Sequence, residues 1–241
     1  MFERQARNAI CVAVTIILAA CGGGGGVSAP SNADPQGIWL GTSSTGLSVS
    51  TLVLENKQYY AIYSSGNVVE GLVQGTLSVS GNSISDSSGV DIAPGSGAIH
   101  ATLSGTVSAR QSLSATVTEG GQTGTINGNY DAAYDTAPSL AQGVGTWTGS
   151  AAGTAGTTTI TVASDATFTG ANGPCTFSGS VKPRASGKNV LDGTVTFNDA
   201  SCTAGAGATM GFEAFFSGNQ LFAAGVNSAR SDAFVFVGSK S

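Results

Sequence analysis

Few residues of this 241-residue chain are of a type and spacing that could do chemistry. There is one histidine, His100, and any imidazole-based triad or metal site has to use it. It falls on the polar side of an alternating segment, among Ser and Thr, and no Gly-x-Ser-x-Gly elbow occurs in the chain. Asp131 and Asp135 have the look of a carboxylate pair for glycoside cleavage. They sit at a junction between two units, however, where Asp favours turns. No Asp-x-Asp-x-Asp-Gly loop supports calcium, and the Cys-x-x-Cys spacing of zinc sites is absent. The reading is therefore no catalytic residue, no metal and no cofactor. Tyr59, Tyr60 and Tyr63 form the densest aromatic group. Neighbouring residues of a strand point oppositely, so either Tyr59 or Tyr60 is expected to face water. The three are a candidate interaction surface, with cross-strand packing as the alternative. Phe234-Val235-Phe236-Val237 breaks alternation and makes both faces of the last strand apolar. Either the other unit covers it or a partner does.

The first segment carries an address. Arg4 and Arg7 precede Ala9 to Ala20, a mostly apolar run interrupted by Thr15. A membrane-spanning helix needs about 20 apolar residues, so this run has the size of a signal-peptide core instead. Leu18-Ala19-Ala20-Cys21 then resembles the bacterial lipobox. The resemblance implies cleavage before Cys21, a diacylglycerol on its thiol and an acyl chain on its new amine. Two or more chains anchor a protein durably. Gly22 stands where Asp resembles an inner-membrane retention signal, so the likeness points to the outer membrane, with the leaflet left open. Gly22 to Gly26, followed by Pro30 and Pro35, reads as a flexible tether. Residues 22–36 would span about 20 Å as a random coil. The expected organisation is thus a signal peptide over 1–20 and a lipidated tether over 21–36. Cys11 leaves with the signal and Cys21 takes lipid. Cys175 and Cys202 remain as an even pair in an oxidising compartment, which predicts a disulfide, with free thiols or metal ligands as the alternative.

Composition narrows the body of the chain. Glycine is abundant at 36 residues, and charged residues make up only 10%. Amphipathic helices need charge on their outer face, so a β-rich body coated in Ser, Thr and Asn is expected. Net charge is −5, and removing Arg4, Arg7 and Glu3 with the first segment makes it −6. Basic residues are scattered singly, which argues against nucleic acid as a partner.

Gly37-Ile38-Trp39-Leu40-Gly41 recurs as Gly145-Thr146-Trp147-Thr148-Gly149, and these hold the only two tryptophans. The offset predicts two related units, 37–136 and 143–238. Within them apolar residues alternate with polar ones, as in Leu191, Gly193, Val195 and Phe197 against Asp192, Thr194, Thr196 and Asn198. Turn pairs such as Gly81-Asn82, Gly120-Gly121 and Gly218-Asn219 recur between the segments. Unit one yields eight strands, near 38–42, 48–55, 58–64, 68–79, 82–88, 98–108, 111–118 and 122–130, and unit two a similar set. Hairpins without helices give an up-and-down meander, and eight antiparallel strands remove their edges by closing. The fold class expected is all-β, with two tandem antiparallel eight-stranded small barrels after a signal peptide and tether. Inward glycines such as Gly71, Gly75, Gly105, Gly179 and Gly193 suit a narrow, strongly coiled barrel. A barrel spanning the outer membrane is the rival, but it needs longer strands and an apolar outer band.

Gly-x-Trp at the start of a first strand is similar to the opening signature of calycin barrels, such as lipocalins and small bacterial protease inhibitors. That resemblance implies that Trp39 and Trp147 plug the barrel ends. It also implies a cation packed on the ring, for which Arg230 is the candidate in unit two. Tandem barrels behind a lipidated tether resemble the surface lipoproteins that bind transferrin or complement factor H. The expected function is a non-enzymatic, membrane-anchored binding or envelope-interaction module. Its partners are the membrane through lipid and an unknown protein or small molecule. Alternatives are a calyx carrier of a small apolar ligand and a protease inhibitor.

Overall fold

A computed structural model describes residues 31–93, 97–152 and 156–241. The signal segment, Cys21 and the glycine run lie outside the described residues.

Alternation becomes strands throughout. The first barrel is built from β1 (Gly37–Ser43), β2 (Ser48–Val53), β3 (Gln58–Ser65), β4 (Val68–Thr76), β5 (Ser78–Ser80), β6 (Ser83–Ala93), β7 (Gly97–Ser108), β8 (Ser112–Glu119) and β9 (Gln122–Asp131). Each strand pairs antiparallel with the next, except that β4 pairs with β6 across the short β5, and β9 returns to β1. Eight strands close the ring, and β5 hangs on β6 alone. The segment expected as one strand over 68–79 breaks at Leu77, whose N–H donates to Lys57 O at 2.9 Å instead of continuing a ladder.

A short connection follows: a 3-10 turn, Ala132–Asp135, and one helical turn, α1 (Leu140–Gly143). The second barrel runs through β10 (Gly145–Ala151), β11 (Thr158–Val162), β12 (Thr167–Asn172), β13 (Cys175–Pro183), β14 (Leu191–Phe197), β15 (Thr209–Ser217), β16 (Gln220–Val226) and β17 (Ala233–Lys240). It is a closed meander, sealed by β10 against β17. The structure is thus all-β, with two tandem closed eight-stranded barrels.

The second glycine of each repeated pentapeptide has a shared cause. A Cβ on Gly41 would lie 1.7 Å from Asn127 O of β9, and one on Gly149 would lie 2.0 Å from Val237 O of β17. Both glycines sit where the last strand of a barrel crosses its first, and only a missing side chain lets the backbones approach that closely.

Three cores hold the body together. Two fill the barrels. The third lies between them and joins Leu52, Tyr60 and Leu72 of the first barrel to Phe215, Phe222 and Val235 of the second. The alternation broken at Phe234–Val237 is explained here. Phe234 and Phe236 point into the second barrel, while Val235 faces the first. Phe215 and Phe222 stack at 4.8 Å within the same seam. Each fully buried side chain of this size contributes about 1.5–3 kcal/mol. Surface ion pairs contribute about 0–1 kcal/mol each, so apolar burial dominates the union.

Polar contacts then fix its orientation. Arg184 pairs with Glu55 of the first barrel at 2.9 Å and with Asp192 at 2.6 Å. Asp135 in the connection is held by Arg110 from one barrel and by Lys188 from the other at 3.0 Å. These partners hold its carboxyl at about 2, with the Arg110 hydrogen bond the main cause. Residues 32–36, expected as the end of the tether, are tied down instead. Gly81 N–H donates to Asn32 Oδ1, and Ala33 N–H donates to Gly81 O, both at 2.8 Å.

Candidate ligand-binding site

The two tryptophans occupy equivalent places. Trp39 Nε1 donates to Pro35 O at 3.0 Å, and Trp147 Nε1 donates to Gly143 O at 2.7 Å, in each case the carbonyl four residues back. Both rings are buried at the end of the barrel where its first strand begins. The expected arginine on the second ring is corrected. Lys240, not Arg230, stands over Trp147, with its ammonium 5.5 Å from the ring centre. Arg230 reaches the other barrel and donates to Gln74 Oε1, Gln74 O and Ser88 O, each at 2.8 Å. Its loop precedes β17 and faces the seam, which puts the guanidinium at the end of the barrel opposite Trp147. On the first barrel Tyr130 meets Trp39 edge-on at 5.4 Å, and Arg110 covers Tyr130 at 5.2 Å.

The tyrosine cluster is not an exposed surface. Tyr59 and Tyr63 point into the first barrel, and Tyr60 points into the seam. Alternation predicted the opposition of Tyr59 and Tyr60. The face it left for water is covered by the second barrel. Inside, the two rings need space, and β4 supplies it. A Cβ on Gly71 would lie 2.2 Å from Tyr63 Oη, and one on Gly75 would lie 2.9 Å from Tyr59 Oη. These inward glycines accommodate aromatic rings from the neighbouring strand.

Each phenol donates to a buried carboxylate. Tyr59 Oη donates to Asp86 Oδ2 at 3.1 Å, and Tyr63 Oη donates to Asp91 Oδ1 at 2.7 Å. Burial, reinforced by these carboxylates, pushes both phenols above the usual tyrosine range, so both remain neutral donors. Asp86 is saturated, since it also accepts from Thr76 N–H and from Ser88 N–H and Oγ. A β-bulge between Asp86 and Gly89 brings both Asp86 and Asp91 to the inner face of β6. Without it, residues five apart would point oppositely.

Glu119 is the third inward acid. It continues the phase of Leu113, Ala115 and Val117 on β8 to the barrel mouth. Its carboxyl hydrogen-bonds the Asp91 carboxylate. That bond, with burial and the Asp91 charge, pushes it up to about 7. Apart from the Asp91 carboxyl, Glu119 Oε2 has no hydrogen-bond partner among the described residues.

These groups border a cavity of about 300 Å³ in the end of the first barrel opposite Trp39. Val49, Ala61, Val73, Val117 and Ile126 form its apolar walls, and Ser43, Thr45 and Gln122 stand at its rim. That volume is at the lower end of small-molecule sites. The second barrel differs. Phe168, Phe177, Phe197, Phe212 and Phe234 interlock through ring contacts of 5.1 to 6.3 Å around a space of about 40 Å³, and a cavity of about 520 Å³ lies at the barrel mouth between Phe177, Phe197 and Phe234 and Ile92 and Gly97 of the first barrel.

Cys175 and Cys202 are joined in a disulfide. It folds the β14–β15 connection back to the start of β13 and buries Cys202 in the second core. A loop of that length stabilises by about 3–4 kcal/mol in the chain-entropy model. His100 lies exposed on β7, its Nε2 2.9 Å from Ser87 O. Asp131 accepts from Ala133 N–H and from Ser217 Oγ, so both junction aspartates are occupied in holding the connection.

The inward acids escaped the sequence reading. Glu119 was legible, because it extends an apolar alternation by one step. Asp91 was not, because the bulge that reverses its phase leaves no mark in the pattern.

No protein-family model matches the chain, and no curated protein does. Among solved structures it is similar to a double mutant of transferrin binding protein B from Haemophilus parasuis. That match has 9% identity, covers 80% of this chain and 65% of the other, and has a TM-score of 0.31. It is also similar to the isotype 1 transferrin binding protein B from serogroup B Neisseria meningitidis, at 9% identity, 81% and 52% coverage and a TM-score of 0.36. A single mutant of the Haemophilus parasuis protein matches at 7% identity, 81% and 66% coverage and a TM-score of 0.30. The chain thus spans between about half and two thirds of the length of these structures.

Proposed function

We propose that the chain is a non-enzymatic binding lipoprotein of the bacterial outer membrane, anchored through Cys21, whose first barrel holds a small molecule in its open end. The observation that carries this reading is the contrast between two barrels of one topology. The second barrel is packed by interlocked rings around about 40 Å³, its larger space of about 520 Å³ lying at its mouth against the first barrel, whereas the first barrel keeps about 300 Å³ open within its own wall beyond its plug. Unfilled core volume costs stability in proportion to its size, and an occupant offsets that cost. The second barrel and the seam brace the first, so the cavity wall stays rigid. The candidate catalytic groups support a binding role. His100 stands on an outer face, and Asp131 and Asp135 serve the junction.

Native mass spectrometry of protein extracted from envelopes without denaturation tests this. The expected result is one small molecule bound per chain and lost in Ala61→Phe, which fills the cavity. Ligand-free protein, or an adduct that survives Ala61→Phe, would overturn it. Labelling with a palmitate analogue should mark the wild type and not Cys21→Ser.

A further inference from the structure

Resting on the calyx reading, the charge inside the cavity narrows the ligand to one chemical class. The walls are apolar to the depth of Ala61 and Val73, so the occupant must offer an apolar body. Near the rim the surface changes. Asp91, only 7% exposed, and Glu119 stand together on adjoining parts of the wall. No Lys, Arg or His lines the cavity among the described residues. The one phenol there, Tyr63, already donates to Asp91. Apart from the Asp91 carboxyl, nothing among the described residues donates to Glu119 Oε2, so the two acids form a pair short of donors, which is costly when buried. An anion would meet two acids without a counter-charge. A neutral alcohol would supply one donor and leave the charge unopposed.

We infer that the first barrel binds a small organic monocation, a protonated amine on a compact apolar body, with its ammonium between Asp91 and Glu119 and its body against Val49, Ala61 and Val73. Asp91 and Glu119 share a hydrogen bond, and Glu119 is pushed up to about 7 mainly by that bond. Near neutral pH the pair therefore carries between one and two negative charges, and a single ammonium opposes the larger part of them. Three N–H donors of an ammonium match the free acceptor sites left on the two carboxyl groups. A divalent cation is served less well, because among the described residues no three His, Cys, Asp or Glu side chains converge.

Three probes of one shape and different charge test this on the full chain: 2-phenylethylamine, 2-phenylethanol and 3-phenylpropanoate, titrated by ligand-observed NMR. The amine should bind at least about tenfold more tightly than the alcohol, as expected for a hydrogen bond to a charged group, and the carboxylate should not bind. Asp91→Asn with Glu119→Gln should bring the amine down to the level of the alcohol, while Ala61→Phe should abolish binding of both. Equal binding of amine and alcohol would overturn the charge assignment and leave the calyx standing. Binding of none of the three would overturn the assignment outright, and the adduct found by native mass spectrometry then judges the calyx separately. Loss of amine binding in Ala61→Phe, but not in the doubly neutralised variant, would place the amine in the cavity without the acids and also overturn it.

Discussion

Glu119 is a single carboxyl whose environment sets its behaviour. Its hydrogen bond with Asp91, burial and the Asp91 charge raise it from 4.5 to about 7. The folded chain therefore keeps a proton that the unfolded chain releases between those values. Linkage then fixes the sign: this group favours folding below about 4.5, and the contribution is lost as pH rises through about 7. Thermal unfolding of wild type and Glu119→Gln at pH 5 and pH 8 checks it. The glutamine variant should lose less Tm between the two pH values. An equal loss in both would show that Glu119 is not the titrating group. At this scale the sequence was legible where a residue kept the phase of its strand. Leu113, Ala115 and Val117 announce Glu119, and Trp39 and Trp147 announce each other. It was not legible where partner choice is set in three dimensions. Nothing in the sequence favours Lys240 over Arg230 as the cation on Trp147, because the choice follows from the register of β17 on β10, which sets Lys240 opposite Trp147.

At the scale of elements, the barrels depend on how the first and last strands cross. Gly41 and Gly149 occupy that crossing, each with a neighbouring carbonyl where a Cβ would go. Gly41→Ala and Gly149→Ala should each cost about 3 kcal/mol or more, a fall in Tm on the order of 10 °C. Gly124→Ala is the control, since open space surrounds the added carbon; its Tm should move by no more than about 1–2 °C. Similar losses at all three positions would remove the crossing as the cause. Period-two alternation and turn pairs placed eight strands in the first unit close to where they stand. The exceptions are 82–88, where the strand continues through the bulge to Ala93, and 68–79, where a backbone bond from Leu77 to Lys57 interrupts a pattern of side chains that continues unbroken. Patterns record which face is wet, and they are silent on where a ladder stops.

At the scale of the molecule, the third core makes two barrels one body. Val235 points from β17 into that seam and is 2% exposed. Its neighbours Phe234 and Phe236 serve the second barrel, so a charge at 235 attacks the seam and spares the barrel. Wild type should unfold in a single calorimetric transition, and Val235→Lys should separate it into two, because an unpaired buried charge is costly. A single transition at an unchanged midpoint would mean the seam does not couple the barrels. Two-sided apolarity at Phe234–Val237 was the signal for this seam. What it did not reveal is that Tyr60 lies under the same cover, since an outward tyrosine looks the same whether water or a barrel faces it.

The central claim is that one barrel binds and its twin does not. Methyl-labelled NMR of the full chain with 2-phenylethylamine tests it most directly. The methyl signals of Val49, Val73, Val117 and Ile126 should shift on titration while those of Ile160 and Val195 in the second barrel stay fixed. Shifts in the second barrel, or none in the first at saturating probe, would contradict it.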